Sequence, residues 1–130
     1  MNILVIDDEP ARARWFDDHL EPLGHTVRVA HTPEDALDQL HEGEFDLVFF
    51  DHDLGSRDWN GSKIAYHVFM HPKKYNQPRA VWIHTSNPVG AENIAAKCRS
   101  AEVKFTIGKF ESFMHDPKAL FAAITRLVAQ

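Results

Sequence analysis

Short apolar runs alternate with amphipathic segments along the chain. The first run, Ile3-Leu4-Val5-Ile6, ends in Asp7-Asp8-Glu9-Pro10, where a proline at a first helical position marks a helix start. A helix follows from Ala11 to about Leu20 and closes near Gly24. The second run, Thr26 to Ala30, is alternating and rich in β-branched residues, as a strand requires. Thr32-Pro33-Glu34-Asp35 then reads as an N-cap, a proline and an acidic first turn, and Gly43 ends that helix. The third run, Phe45 to Phe50, is nearly all apolar, which fits a strand covered on both faces. After a polar loop, a helix is predicted from about Ser62 to Met70, and His71 to Arg79 reads as loop. The fourth strand is predicted at Ala80 to His84, the fourth helix at about Ala91 to Ser100, and the fifth strand at Val103 to Ile107. A last helix, about Pro117 to Val128, carries Leu120, Ile124, Leu127 and Val128 on one face.

Strands and helices that alternate at this spacing form a parallel sheet with helices on both faces. The pattern shows no linker and no internal repeat, so residues 1–130 are read as a single α/β domain with a doubly wound parallel sheet. A length of 130 residues is enough to bury a core. Hydrophobic residues make up 44% and charged residues 25%, in the range of globular domains. No apolar run is long enough for a membrane span, and the start of the chain lacks the pattern of a signal peptide. The lone Cys98 has no partner for an internal disulfide, so a cytoplasmic setting is expected. A net charge of −5 argues against broad attraction to nucleic acid or to an anionic membrane.

Ligands of open parallel sheets bind beyond the carboxyl ends of the strands. The residues that follow the apolar runs are therefore the candidate chemistry. Strand 1 delivers Asp7 and Asp8, strand 3 delivers Asp51 followed by His52 and Asp53, strand 4 delivers His84, Thr85, Ser86 and Asn87, and strand 5 delivers Lys109. Crowded carboxylates repel each other unless a cation compensates them, and a hard all-oxygen set suits Mg²⁺. Hydroxyls and a lysine beside such a set describe a pocket for phosphoryl chemistry. A lone Asp after a strand is usually a helix cap, but the joint pattern of acids, hydroxyl and lysine is hard to obtain by accident. His84 is read as a proton donor or acceptor at phosphate, sharing the task with His52 or a metal-bound water. Arg57 is a further candidate for binding phosphate.

These residues resemble the receiver domain of two-component response regulators over nearly the whole chain. The opening Ile3-Leu4-Val5-Ile6-Asp7-Asp8-Glu9-Pro10 is similar to the receiver opening, Asp51 falls at the phospho-accepting aspartate, Asn60-Gly61 at the following turn, Thr85 or Ser86 at the strand-4 hydroxyl, and Lys109 at the lysine after strand 5. The resemblance implies a flavodoxin-like or CheY-like (βα)₅ fold of strand order 2-1-3-4-5. It also implies that Mg²⁺ is held by Asp8, Asp51 and the Asp53 carbonyl, with Asp7 on a metal-bound water. Two departures stand out. Phe110 occupies the place of the cis proline after the lysine, and Thr106 and Ile107 stand where an aromatic switch residue is common. Asp51-His52-Asp53-Leu54-Gly55 and His84-Thr85-Ser86-Asn87 most resemble the cyclic-phosphate-processing branch of the superfamily.

Three readings follow. The first is a Mg²⁺-dependent phosphoesterase acting on a cyclic or nucleotide phosphate, whose partner is a phosphorylated small molecule or an RNA end. The second is a stand-alone receiver, phosphorylated on Asp51 by a histidine kinase or phosphotransfer protein. The third is a module that binds a phosphorylated ligand without chemistry.

Overall fold

A computed structural model of the protein describes residues 1–51 and 60–129. Its elements run in the order β1 (Asn2–Ile6), α1 (Pro10–Leu20), β2 (Thr26–Ala30), α2 (Pro33–Glu42), β3 (Leu47–Phe50), α3 (Gly61–Phe69), β4 (Ala80–Ile83), α4 (Pro88–Ser100), β5 (Lys104–Ile107), α5 (Phe110–His115) and α6 (Pro117–Ala129). A 3₁₀ turn, Glu21–Leu23, follows α1 and is stopped by Gly24, whose φ of 92° is the left-handed conformation that glycine adopts without strain. All strand pairs are parallel and the strand order is β2-β1-β3-β4-β5, the expected doubly wound arrangement.

The strand alternation divides the core in two. Leu4, Ile6, Val48, Phe50, Val81 and Ile83 point to one side, where Leu40 of α2, Ile64 and Val68 of α3, and Ile94 of α4 cover them. Ile3, Val5, Leu47, Phe49, Ala80 and Trp82 point to the other, against Phe16 and Leu20 of α1, Phe113 of α5, and Leu120 and Ile124 of α6. Each fully buried Leu, Ile or Phe removes enough apolar area from water to contribute about 1.5–3 kcal/mol. This is why the run Phe45 to Phe50 carries no polar alternation except Asp46 at its beginning.

The helix starts follow local chemistry. The Thr32 hydroxyl accepts from the Asp35 N–H at 3.1 Å and caps α2. Asn60 Oδ1 accepts from the Lys63 N–H at 3.0 Å and caps α3. α4 begins earlier than the apolar periodicity suggests. Asn87 Oδ1 accepts from the Gly90 N–H at 3.0 Å, and Pro88 takes the first helical position. Asn87 thus caps α4. β3 is shorter than expected, since the ladder opens at Leu47, although the Asp46 N–H already donates to the Asn2 carbonyl. α5 is an added element that periodicity did not indicate, because six residues are too few to display an apolar stripe. No peptide bond among the described residues is cis, so Lys109 passes into Phe110, the first residue of α5, by a trans bond.

Candidate functional site

The same alternation that builds the core builds the site. Ile6, Phe50 and Ile83 are in register across β1, β3 and β4. The next residues, Asp7, Asp51 and His84, continue the ladder, since the Asp51 N–H donates to the Ile6 carbonyl and the His84 N–H to the Phe50 carbonyl, both at 3.0 Å. Their side chains share the parity of Val5, Phe49 and Trp82, so all three emerge on the side of α1, α5 and α6. All three are buried. One ligand atom from each lies within 4.8 Å of the others, which makes them a group able to approach a common ion.

Arg12, in the first turns of α1, fills the space between the acids. Its Nε donates to Asp7 Oδ2 at 2.9 Å, and its Nη2 donates to Asp7 Oδ1 at 3.0 Å and to Asp51 Oδ2 at 3.3 Å. Nη2 also stands 3.9 Å from Asp8 Oδ1. One guanidinium therefore bridges Asp7 and Asp51 and stands beside Asp8, in a charge-assisted and partly bidentate arrangement. Arg12 is not among the residues that follow the apolar strands, so strand ends alone do not point to it. The available signal was its spacing, because Arg12 stands four residues after Asp8 and so one helical turn above the acidic pair.

Asp7 is the hub of this cluster. Its Oδ1 accepts from the Glu9 N–H at 2.9 Å and from Arg12, and its Oδ2 accepts from Arg12 and, at 2.9 Å, from His84 Nε2. Four donors use the lone pairs that a carboxylate offers. Burial alone would raise the Asp7 pKa, but the hydrogen bonds from His84 and Arg12, the charge of His84 and the Glu9 N–H outweigh it and hold the group at about 2. His31 Nδ1 approaches the Asp7 carbonyl at 3.1 Å and ties the same turn to the end of β2.

His84 is fixed on both sides. Its Nε2 hydrogen donates to ionised Asp7, and its ring packs against Phe16 and Phe49. Its Nδ1 is buried and has no hydrogen-bond partner among the described residues. Thr85 is buried, and its Oγ1 accepts from the Asn87 N–H at 3.2 Å, which leaves its own hydroxyl hydrogen to donate elsewhere. Ser86 is exposed. Arg12, Asp51, His84, Thr85, Ser86, Phe110 and Glu111 together line a cavity of about 190 Å³. A larger cavity of about 390 Å³ opens at the opposite, amino-terminal edge of the sheet. Its charged lining mixes Arg28 with Glu42 and Glu44, and it gathers no group from the strand ends that carry the acids.

Asp7, Asp51, His84, Thr85 and Ser86 thus converge as expected, with Asp8 half-buried beside them. Lys109 does not join them in this conformation. It is exposed and stands outside the residues that line the cavity, and its backbone caps α5. His52, Asp53 and Arg57 lie outside the described residues. A hard divalent cation fits the carboxylates of Asp8 and Asp51 by donor chemistry. Asp7, whose oxygens are saturated, suits a different task, that of orienting Arg12 and His84.

A five-stranded parallel sheet of order 2-1-3-4-5, with carboxylates at the ends of its first and third strands, defines a receiver-type, CheY-like protein. Residues 2–100 match the family described as the cyclic-phosphate processing receiver domain, and the chain belongs to that family. Among solved structures, the chain is similar to a sensor protein from Polaromonas (20% identity, TM-score 0.72, covering 98% of this chain and 95% of that one). It is also similar to the response regulator TrrA of Thermotoga maritima in complex with Mg(2+)-BeF (21% identity, TM-score 0.69, covering 97% of each chain). A third is the chemotaxis protein CheY4 of Vibrio cholerae (16% identity, TM-score 0.67, covering 97% of each chain). At these identities the likeness is one of fold.

Proposed function

We propose that the cavity at the carboxyl edge of the sheet binds a phosphorylated ligand and, with Mg²⁺, opens or hydrolyses a cyclic or nucleotide phosphate. The observation that carries this reading is the convergence of Asp51, His84, Thr85 and Ser86 on one small cavity, in a chain of the cyclic-phosphate-processing family. Asp8 and Asp51 are the residues that would hold the ion, with Asp53 as a further ligand by family likeness. Bound there, Mg²⁺ would supply charge neutralisation and polarisation of a phosphoryl oxygen. The Thr85 and Ser86 hydroxyls donate to the remaining phosphoryl oxygens. His84, whose Nε2 is held by Asp7, would exchange a proton with the departing or entering oxygen.

Purified protein incubated with a panel of 2′,3′-cyclic nucleotides and terminal phosphates in Mg²⁺ tests this reading. Turnover that disappears in Asp51→Asn and falls by about 10²–10⁴ in His84→Gln is expected, because Gln retains a donor for Asp7 but transfers no proton. No turnover across the panel removes the catalytic claim. Stable labelling of Asp51 by acetyl phosphate in the same preparation would replace it with the signalling reading.

A further inference from the structure

We propose that Arg12 is the residue that binds the ligand's phosphate, in the place that the resemblance would give to Lys109. The inference rests on the phosphate reading of the cavity and deepens it. Arg12 lines the cavity together with Thr85 and Ser86, whereas Lys109 does not. Arg12 Nε and Nη2 are committed to Asp7 and Asp51, and Nη1 has no hydrogen bond among the described residues. The side chain is 36% exposed and lines the cavity, so a ligand can reach it there. A guanidinium gripped at two corners loses little freedom when the third binds, and Nη1 keeps its N–H groups for a charge-assisted bond to a phosphate oxygen. Lys109 would first have to fold a long, solvated side chain inward, at a cost in rotamer entropy.

The surrounding charge adds a condition. Asp7, Asp8 and Asp51 together outnumber the guanidinium, and Glu111 also lines the cavity. A free anion is therefore repelled until a divalent cation offsets the acids, and Arg12 then acts as the second positive contact.

Calorimetric titration of inorganic phosphate into the full chain, in saturating MgCl₂, tests the assignment. Arg12→Gln should weaken phosphate binding by about tenfold or more, since a charge-assisted hydrogen bond is lost. Arg12→Lys should fall between that variant and the wild type, and Lys109→Ala should cost less than Arg12→Gln. Arg12→Gln binding within about twofold of wild type, or a larger loss in Lys109→Ala, overturns the assignment and leaves the phosphate reading standing. A wild-type protein that takes up no phosphate overturns both. The Arg12 Nε–H resonance of wild-type protein supplies a readout independent of variant folding. It should shift on phosphate addition in Mg²⁺, and an unmoved signal counts against Arg12 directly.

Discussion

Asp7 shows how one residue couples fold stability to site geometry. Its carboxyl is held at about 2, below the unfolded value of 3.8. A lowered folded pKa means stability that is fully present above about pH 4 and is lost as pH falls toward 2. The shift corresponds to about 2 kcal/mol. Urea midpoints from pH 7 down to pH 2 should therefore fall more steeply in wild type than in Asp7→Asn, and parallel curves would show that Asp7 is not the titrating group. Cys98 offers a second residue-scale expectation. Burial pushes its thiol up to about 12, against a small opposing effect of Arg99. The folded protein should resist alkylation by iodoacetamide at pH 8, and labelling should appear only with unfolding. Rapid labelling under native conditions would contradict this packing. At this scale the candidate acids were legible because each follows an apolar strand. Arg12 was not, because a charged residue on a helix surface looks the same whether it faces solvent or a neighbouring acid.

At the scale of elements, the carboxyl edge of β4 and β5 is held by a close contact. An added Cβ at Gly108 would lie 2.9 Å from Trp82 Nε1 and 3.1 Å from its Cζ2, and the same indole N–H donates to the Gly108 carbonyl at 3.3 Å. Gly108→Ala should destabilise the fold by about 1–3 kcal/mol, through forced movement of a buried Trp. Chemical denaturation measures it, and a neutral result would mean that the indole has room to shift. The cap of α4 is the second such device. Asn87→Ala should cost about 1 kcal/mol and fray the first turn, read as faster amide exchange at Gly90 and Ala91. The caps at Thr32 and Asn60 lie in local sequence, where a side-chain acceptor precedes the helix by a fixed spacing. α5 had no such signal. Lys109 provides no side-chain cap, and the helix is held by Phe110 and Phe113 packing on Trp15, Phe16 and Trp82.

For the whole molecule, the two cores place the acids. Phe49 touches Phe16, Trp82, His84 and Phe113, so it joins the sheet, α1, α5 and the site in one cluster. Phe49→Ala should cost about 3–5 kcal/mol and also disturb the His84 pose. Under the proposed function, the carboxylate set at the sheet edge would tie stability to cation binding. With Mg²⁺ at 100 times its dissociation constant, the fold should gain about 2.7 kcal/mol, seen as a rise in melting temperature that EDTA reverses. Asp51→Ala should remove that rise, and an equal rise in wild type and Asp51→Ala would place the ion elsewhere. Among the described residues, no helix is long and apolar enough to cross a membrane.

The sequence by itself determined the strand count, the parallel arrangement and the edge at which Asp7, Asp8, Asp51, His84, Thr85 and Ser86 gather. These follow from strand periodicity and from local caps, which neighbouring residues decide. Only the tertiary structure decided that Asp7 serves as a four-donor hub, that Arg12 stands among the acids, and that Lys109 stands outside the cavity. Those outcomes depend on where helices α1 and α5 settle against the sheet. That placement is set by packing between residues far apart in the chain, which no local pattern encodes.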